Sequence, residues 1–100
     1  MNERPIPEAA LRDKNAVEML RVWIAERQLH CSMKIGMYHD TAKVPESNAW
    51  GTILADVARH VANAMQERNS KDPDLILRQI ARQFLRELKF PTSDVDGEFV

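Results

Sequence analysis

Two runs of alternating apolar residues constrain this chain more than anything else in it. Leu20, Val22 and Ile24 form the first; Leu29, Cys31, Met33, Ile35 and Met37 form the second. Period-two alternation marks a strand with one buried face. If the runs pair antiparallel with Ile24 opposite Leu29, Val22 meets Cys31 and Leu20 meets Met33. The apolar sets then share one face, as register demands. The pairing needs an even loop, either Glu26-Arg27 or Ala25 to Gln28. The shorter turn ordinarily takes Asn or Gly at positive φ, and neither is present. The expected connection is therefore the longer one, built around a type I turn. The stretch AVEMLRVWIAER also fits helical spacing through Val17, Leu20 and Ile24. Residues 16–27 thus keep a helical alternative, but the second strand needs a partner.

Beyond HDTAKVPESN, which reads as a loop broken by Pro45, the period changes. Ser47 or Asn48 is the expected N-cap. Trp50, Ile53, Leu54, Val57, Val61, Ala64 and Met65 recur at i, i+3, i+4, i+7, giving a helix to about Arg68. Ala55, Ala58 and Ala62 flank that face and would let another helix approach closely. NSKDPD breaks the pattern and restarts it, with Asp72 as cap and Pro73 in the first turn. The second helix, PDLILRQIARQFLRELKF, runs from Pro73 to Phe90 and is expected to bury Ile76, Leu77, Ile80, Ala81, Phe84 and Leu88. The expected fold class is α+β: an antiparallel β-hairpin followed by two antiparallel helices (ββαα), completed by dimerisation.

The chain has 100 residues and 44% hydrophobic content, which suits a single domain with one core. The ordered part is expected at about 16–90. Residues 1–15 read as a loosely docked arm with one or two helical turns after Pro7. Residues 91–100, after the helix-stopping Pro91, read as a frayed tail. Net charge is −1, so no global field points to nucleic acid or an anionic membrane. A single cysteine, Cys31, cannot form an intrachain disulfide, which favours a reducing compartment. The start MNERPIPEAALRDK lacks the apolar run of a signal peptide. No stretch approaches the roughly 20 apolar residues needed to span a bilayer. The expected location is cytoplasmic.

A two-stranded hairpin leaves two open edges, and its outer face is not plainly polar. Met19, Trp23, His30 and Tyr38 are the interface candidates on that face. The expected partner is a second copy, with hairpins joined edge to edge into a four-stranded sheet or packed face to face. The competing reading is that the N-terminal arm covers this face within a monomer.

Candidate chemistry is sparse. Asp56 and His60 are helical neighbours at i, i+4, a spacing shared by catalytic acid–base pairs and by ordinary boundary ion pairs. With Trp50 and Arg59 they are the candidate ligand-binding residues, and the ordinary ion pair is the favoured reading. His30, His39 with Asp40, and His60 show no metal-ligand spacing, so neither a metal nor a cofactor is expected. Gly36 and Gly51 lack the spacing of a phosphate loop. Arg78, Arg82, Arg86 and Lys89 form a basic stripe that suits either phosphate contact or a solvated face. Glu87 and the acidic first turn dilute it, so nucleic acid is not the expected partner.

EMLRVWIAERQLHCSMK and AWGTILADVARHVANAM together resemble a family of small uncharacterised bacterial proteins, catalogued only as a domain of unknown function. The resemblance covers about residues 18–66, and the run from Trp50-Gly51 through Asp56 to Arg59-His60 is its most specific part. It implies a hairpin followed by a helix, and it brings no activity, cofactor or catalytic residue. The expected role is a non-enzymatic homodimeric interaction or regulatory module. The alternatives are a small-ligand binder or enzyme near Trp50, Asp56, Arg59 and His60, or weak phosphate contact through the basic stripe.

Overall fold

The computed structural model describes residues 1–38 and 43–100. His39 and Asp40, considered above as metal ligands, lie outside them. The chain divides into two compact units. One holds Met1–Ile35 and Val95–Val100, the other Gly36–Asp94.

The first unit is a three-stranded sheet with a short helix before it. Helix α1 spans Glu8–Arg12, directly after Pro7, whose fixed φ suits a helix start. Strands β1, Leu20–Ala25, and β2, Gln28–Met33, pair antiparallel. Leu20 faces Met33, Val22 faces Cys31 and Ile24 faces Leu29, the register that the alternation demanded. Residues 20–25 are therefore strand, and the helical alternative falls.

The turn differs from expectation. Ala25 pairs with Gln28, so only Glu26 and Arg27 connect the strands. Both lie at positive φ, 51° and 65°. Two successive left-handed residues give a turn whose twist matches that of the strands, which is why tight hairpins favour it. The cross-strand pairs enforce it here without the usual Asn or Gly.

The C-terminal segment is a second correction. Rather than fraying, it forms β3, Val95–Phe99, which pairs parallel with β2. The sheet order is β1-β2-β3. A parallel neighbour needs a long crossover, and the whole helical segment supplies it. Val95 and Phe99 sit in register with Leu29 and Met33, so the apolar face runs across all three strands. The Met33 carbonyl also accepts a bond from the Val100 N–H at 3.1 Å, which extends the ladder past the strand.

The second unit is a pair of helices. Helix α2 spans Glu46–Asn69 and starts directly after Pro45, earlier than the expected caps Ser47 and Asn48. No side chain caps it. Instead its first-turn Glu46 carboxylate accepts a bond from the Gly36 N–H at 2.6 Å. Ser70, left-handed at φ 56°, ends the helix with its N–H bonded to the Gln66 carbonyl. Helix α3 spans Pro73–Lys89, and Asp72 caps it as expected, accepting from the Asp74 N–H at 3.0 Å.

The two helices pack on each other. Ala62 and Ile76 are the buried apolar residues, at 1% and 2% exposure. Of the small-residue flank of α2, Ala62 is buried, Ala58 is half-buried and Ala55 is exposed. Leu54, Val57, Val61, Phe84 and Leu88, expected in the core, are exposed. Among the described residues, no helix is long and apolar enough to cross a membrane.

Candidate functional site

Strand β1 is an edge: β2 pairs with it on one side, and among the described residues no strand pairs on the other. Which main-chain groups face outward follows from one bond. The Lys34 N–H donates to the Met19 carbonyl at 3.0 Å, so that pair is hydrogen-bonded. Antiparallel pairs alternate. Arg21, Trp23 and Ala25 therefore bond toward β2, while Leu20, Val22 and Ile24 direct their N–H and C=O groups outward. The side chains of these outward-bonding residues are apolar and belong to the continuous apolar face. Ile24 is 75% exposed.

The other face of β1 carries Arg21 and Trp23. The Arg21 guanidinium donates to Glu18 through Nε and Nη2, each at 3.0 Å, and to Glu3 through Nη1 at 2.7 Å. The Glu18 bond and charge, with the Glu3 charge, raise its pKa above the usual guanidinium value. All three contacts lie along the N–H directions, so they leave the flat face of the guanidinium uncommitted. The Glu3 bond ties the N-terminal arm beside β1. Between arm and strand runs a groove of about 600 Å³. Its lining includes Pro5, Ile6 and Val17 on the arm side and Leu20, Val22 and Trp23 on the strand side.

The interface candidates are placed as follows. Trp23 is half-buried opposite His30. The His30 Nε2 lies 3.2 Å from the Ala25 carbonyl. Met19 bonds to Lys34 just before β1. Tyr38 belongs to the helical unit. Sequence reasoning missed Arg21. Its spacing to Glu18 was visible, but Glu3 lies too far along the chain to give a local signal.

Trp50, Asp56, Arg59 and His60 all lie on α2. Asp56 accepts from Arg59 Nη1 at 3.0 Å, not from His60. Both spacings put a donor beside the carboxylate, and the longer, forked guanidinium takes it. Asp56, Arg59 and His60 are exposed. A rise of about 1.5 Å per residue puts Trp50 well over a helical turn from Asp56. The four residues therefore share a helix without converging on one point. The Trp50 indole N–H is buried and lacks a hydrogen-bond partner among the described residues. Arg78, Arg82, Arg86 and Lys89 are all exposed on α3, and the Lys89 ammonium lies 5.7 Å from the Phe90 ring centroid. Among the described residues, no three His, Cys, Asp or Glu gather as metal ligands.

Three comparisons set this geometry among known proteins. A family model described as Domain of unknown function (DUF5076) matches residues 3–92. A solved structure from the photosynthetic bacterium Rhodopseudomonas palustrus CGA009, described as a "putative pyruvate dehydrogenase", is 26% identical, with a TM-score of 0.70. The match covers 98% of this chain and 94% of that one. No curated protein matches the chain.

Proposed function

The chain belongs to the DUF5076 family, and we propose that it acts as a non-enzymatic, homodimeric interaction module whose contact is the sheet unit. One observation carries this reading. The Leu20, Val22 and Ile24 main-chain groups face outward from β1, with no neighbouring strand among the described residues. Open apolar edges pair readily with another strand, and proteins that keep them open generally use or shield them. Arg21, the charged residue of β1, is ion-paired with Glu3 and Glu18. The opposite edge, β3, carries Asp96 and Glu98, and two such edges would repel.

A catalytic reading gains less support. Asp56 is committed to Arg59 in solvent, a setting where an ion pair is weak and ordinary. The dehydrogenase description stays with the Rhodopseudomonas protein. A cytoplasmic setting fits the lone thiol of Cys31, which is kept reduced there.

Light scattering on the full chain tests the proposal. A dimer is expected at roughly tens of micromolar, the range in which interfaces of modest size associate. A monomer at that concentration would sink it. Trp23→Asp should weaken association, since a charge replaces an aromatic beside the contact.

A further inference from the structure

Resting on that self-association, the geometry points to one register for it: β1 pairs antiparallel with β1 of a second copy, centred on Val22. An isologous contact must pair each residue with its symmetry counterpart, so the sequence of β1 has to complement itself about one point. About Val22 it does. Val22 meets the partner's Val22, while Leu20 meets the partner's Ile24 and Ile24 the partner's Leu20. These are the residues whose N–H and C=O groups face outward, so they form the hydrogen-bonded pairs of the new ladder. Their side chains lie on the apolar face, which then runs unbroken across both sheets.

The other face agrees. Arg21 falls opposite the partner's Trp23, and Trp23 opposite the partner's Arg21. Non-hydrogen-bonded pairs bring side chains closest, with Cα atoms about 4.5 Å apart. An indole can stack there on the guanidinium face that Glu3 and Glu18 leave uncommitted. Centring on Arg21 sets two guanidinium cations directly opposite each other, and centring on Trp23 sets Leu20 against the partner's Glu26 and forfeits both Arg–Trp pairs. Centring on Leu20 or Ile24 forfeits both Arg–Trp pairs. Val22 and Ile24 on that edge are 48% and 75% exposed.

Single-cysteine crosslinking in a Cys31→Ala background reads the register. Val22→Cys places two thiols on directly opposed residues, about 5.5 Å apart at Cα, within disulfide reach. In Leu20→Cys or Ile24→Cys the two thiols lie four residues apart along the ladder, about 13 Å. Val22→Cys should form disulfide dimer under mild oxidation at least about tenfold faster than either. Val22→Pro is the second variant. The Val22 N–H points away from β2, so proline should preserve the circular dichroism spectrum and abolish the dimer. A dimer that crosslinks equally or faster through position 20 or 24, or that survives Val22→Pro, overturns the register and leaves self-association standing. A chain that is monomeric by light scattering overturns both.

Discussion

Gly97 lies opposite Cys31 in the parallel β2–β3 pairing, so close that a Cβ there would overlap the Cys31 main chain. Its φ is 140°, a conformation open in practice only to glycine. The third strand therefore depends on the absence of one methyl group. Gly97→Ala should unpair β3 from β2. Amide exchange is the direct measurement: Val95–Val100 should lose protection, while α2 and α3 keep theirs. Retained protection at Phe99 and Val100 would show that the sheet absorbs the methyl group.

The β1–β2 turn has the opposite fault, with side chains where glycine or asparagine would be better. Glu26 and Arg27 both sit at positive φ, which costs an L-residue roughly 1–2 kcal/mol each. Asn at position 26 and Gly at 27 are the residues that such turns prefer. The double substitution Glu26→Asn with Arg27→Gly should stabilise the chain by about 1–2 kcal/mol, after the added entropy of Gly in the unfolded state. A rise in urea midpoint with an unchanged m-value would confirm it. A fall in midpoint would mean that these side chains make contacts worth more than the strain.

The hairpin register was legible because each one-residue slip would turn Ile24, Val22 and Leu20 to the wrong face. Every pair voted for the same alignment. The turn was misread because the Asn-Gly preference is local and weak beside three such pairs. Strand β3 was missed for another reason. Asp96 and Gly97 are poor strand formers, and the partner strand lies far back in the sequence. Only the alternation of Val95 and Phe99 hinted at it. In the candidate site, spacing put both Arg59 and His60 beside Asp56 and could not choose between them. The Glu3–Arg21 contact joins residues with no periodic relation, so nothing local announced it.

The small-residue flank of α2 was legible, and it yields a prediction with a sign. Ala62 is buried at 1% and Ile76 at 2%, whereas Leu54, Val57, Val61 and Met65 of α2 are exposed. Ala62→Leu should force the helices apart and cost about 1–3 kcal/mol through overpacking. Val57→Ala, on the exposed face, should cost less than about 1 kcal/mol. Thermal unfolding by circular dichroism separates them, since 1 kcal/mol corresponds to roughly 4–8 °C in a chain of this size. Equal effects would contradict helix contact through the alanine flank.

The end of α3 carries a carboxylate with a depressed pKa. Glu87 accepts from the Thr92 N–H at 3.0 Å and from the Thr92 hydroxyl at 2.9 and 3.0 Å. The main-chain bond lowers its pKa most, the hydroxyl next, and the Arg86 charge least. A folded pKa below the unfolded value makes the contribution complete above the unfolded value. It is lost as pH falls through the folded one. The bond across Pro91 should therefore hold at neutral pH and open only in acid. NMR titration of the Thr92 amide should give a midpoint below the ordinary glutamate range. Thr92→Val removes the hydroxyl and keeps the N–H, so it should raise the Glu87 midpoint part of the way back. A full return in Thr92→Val would assign the effect to the hydroxyl rather than to the main-chain bond. An ordinary midpoint in the unsubstituted chain would mean that the contact does not hold in solution.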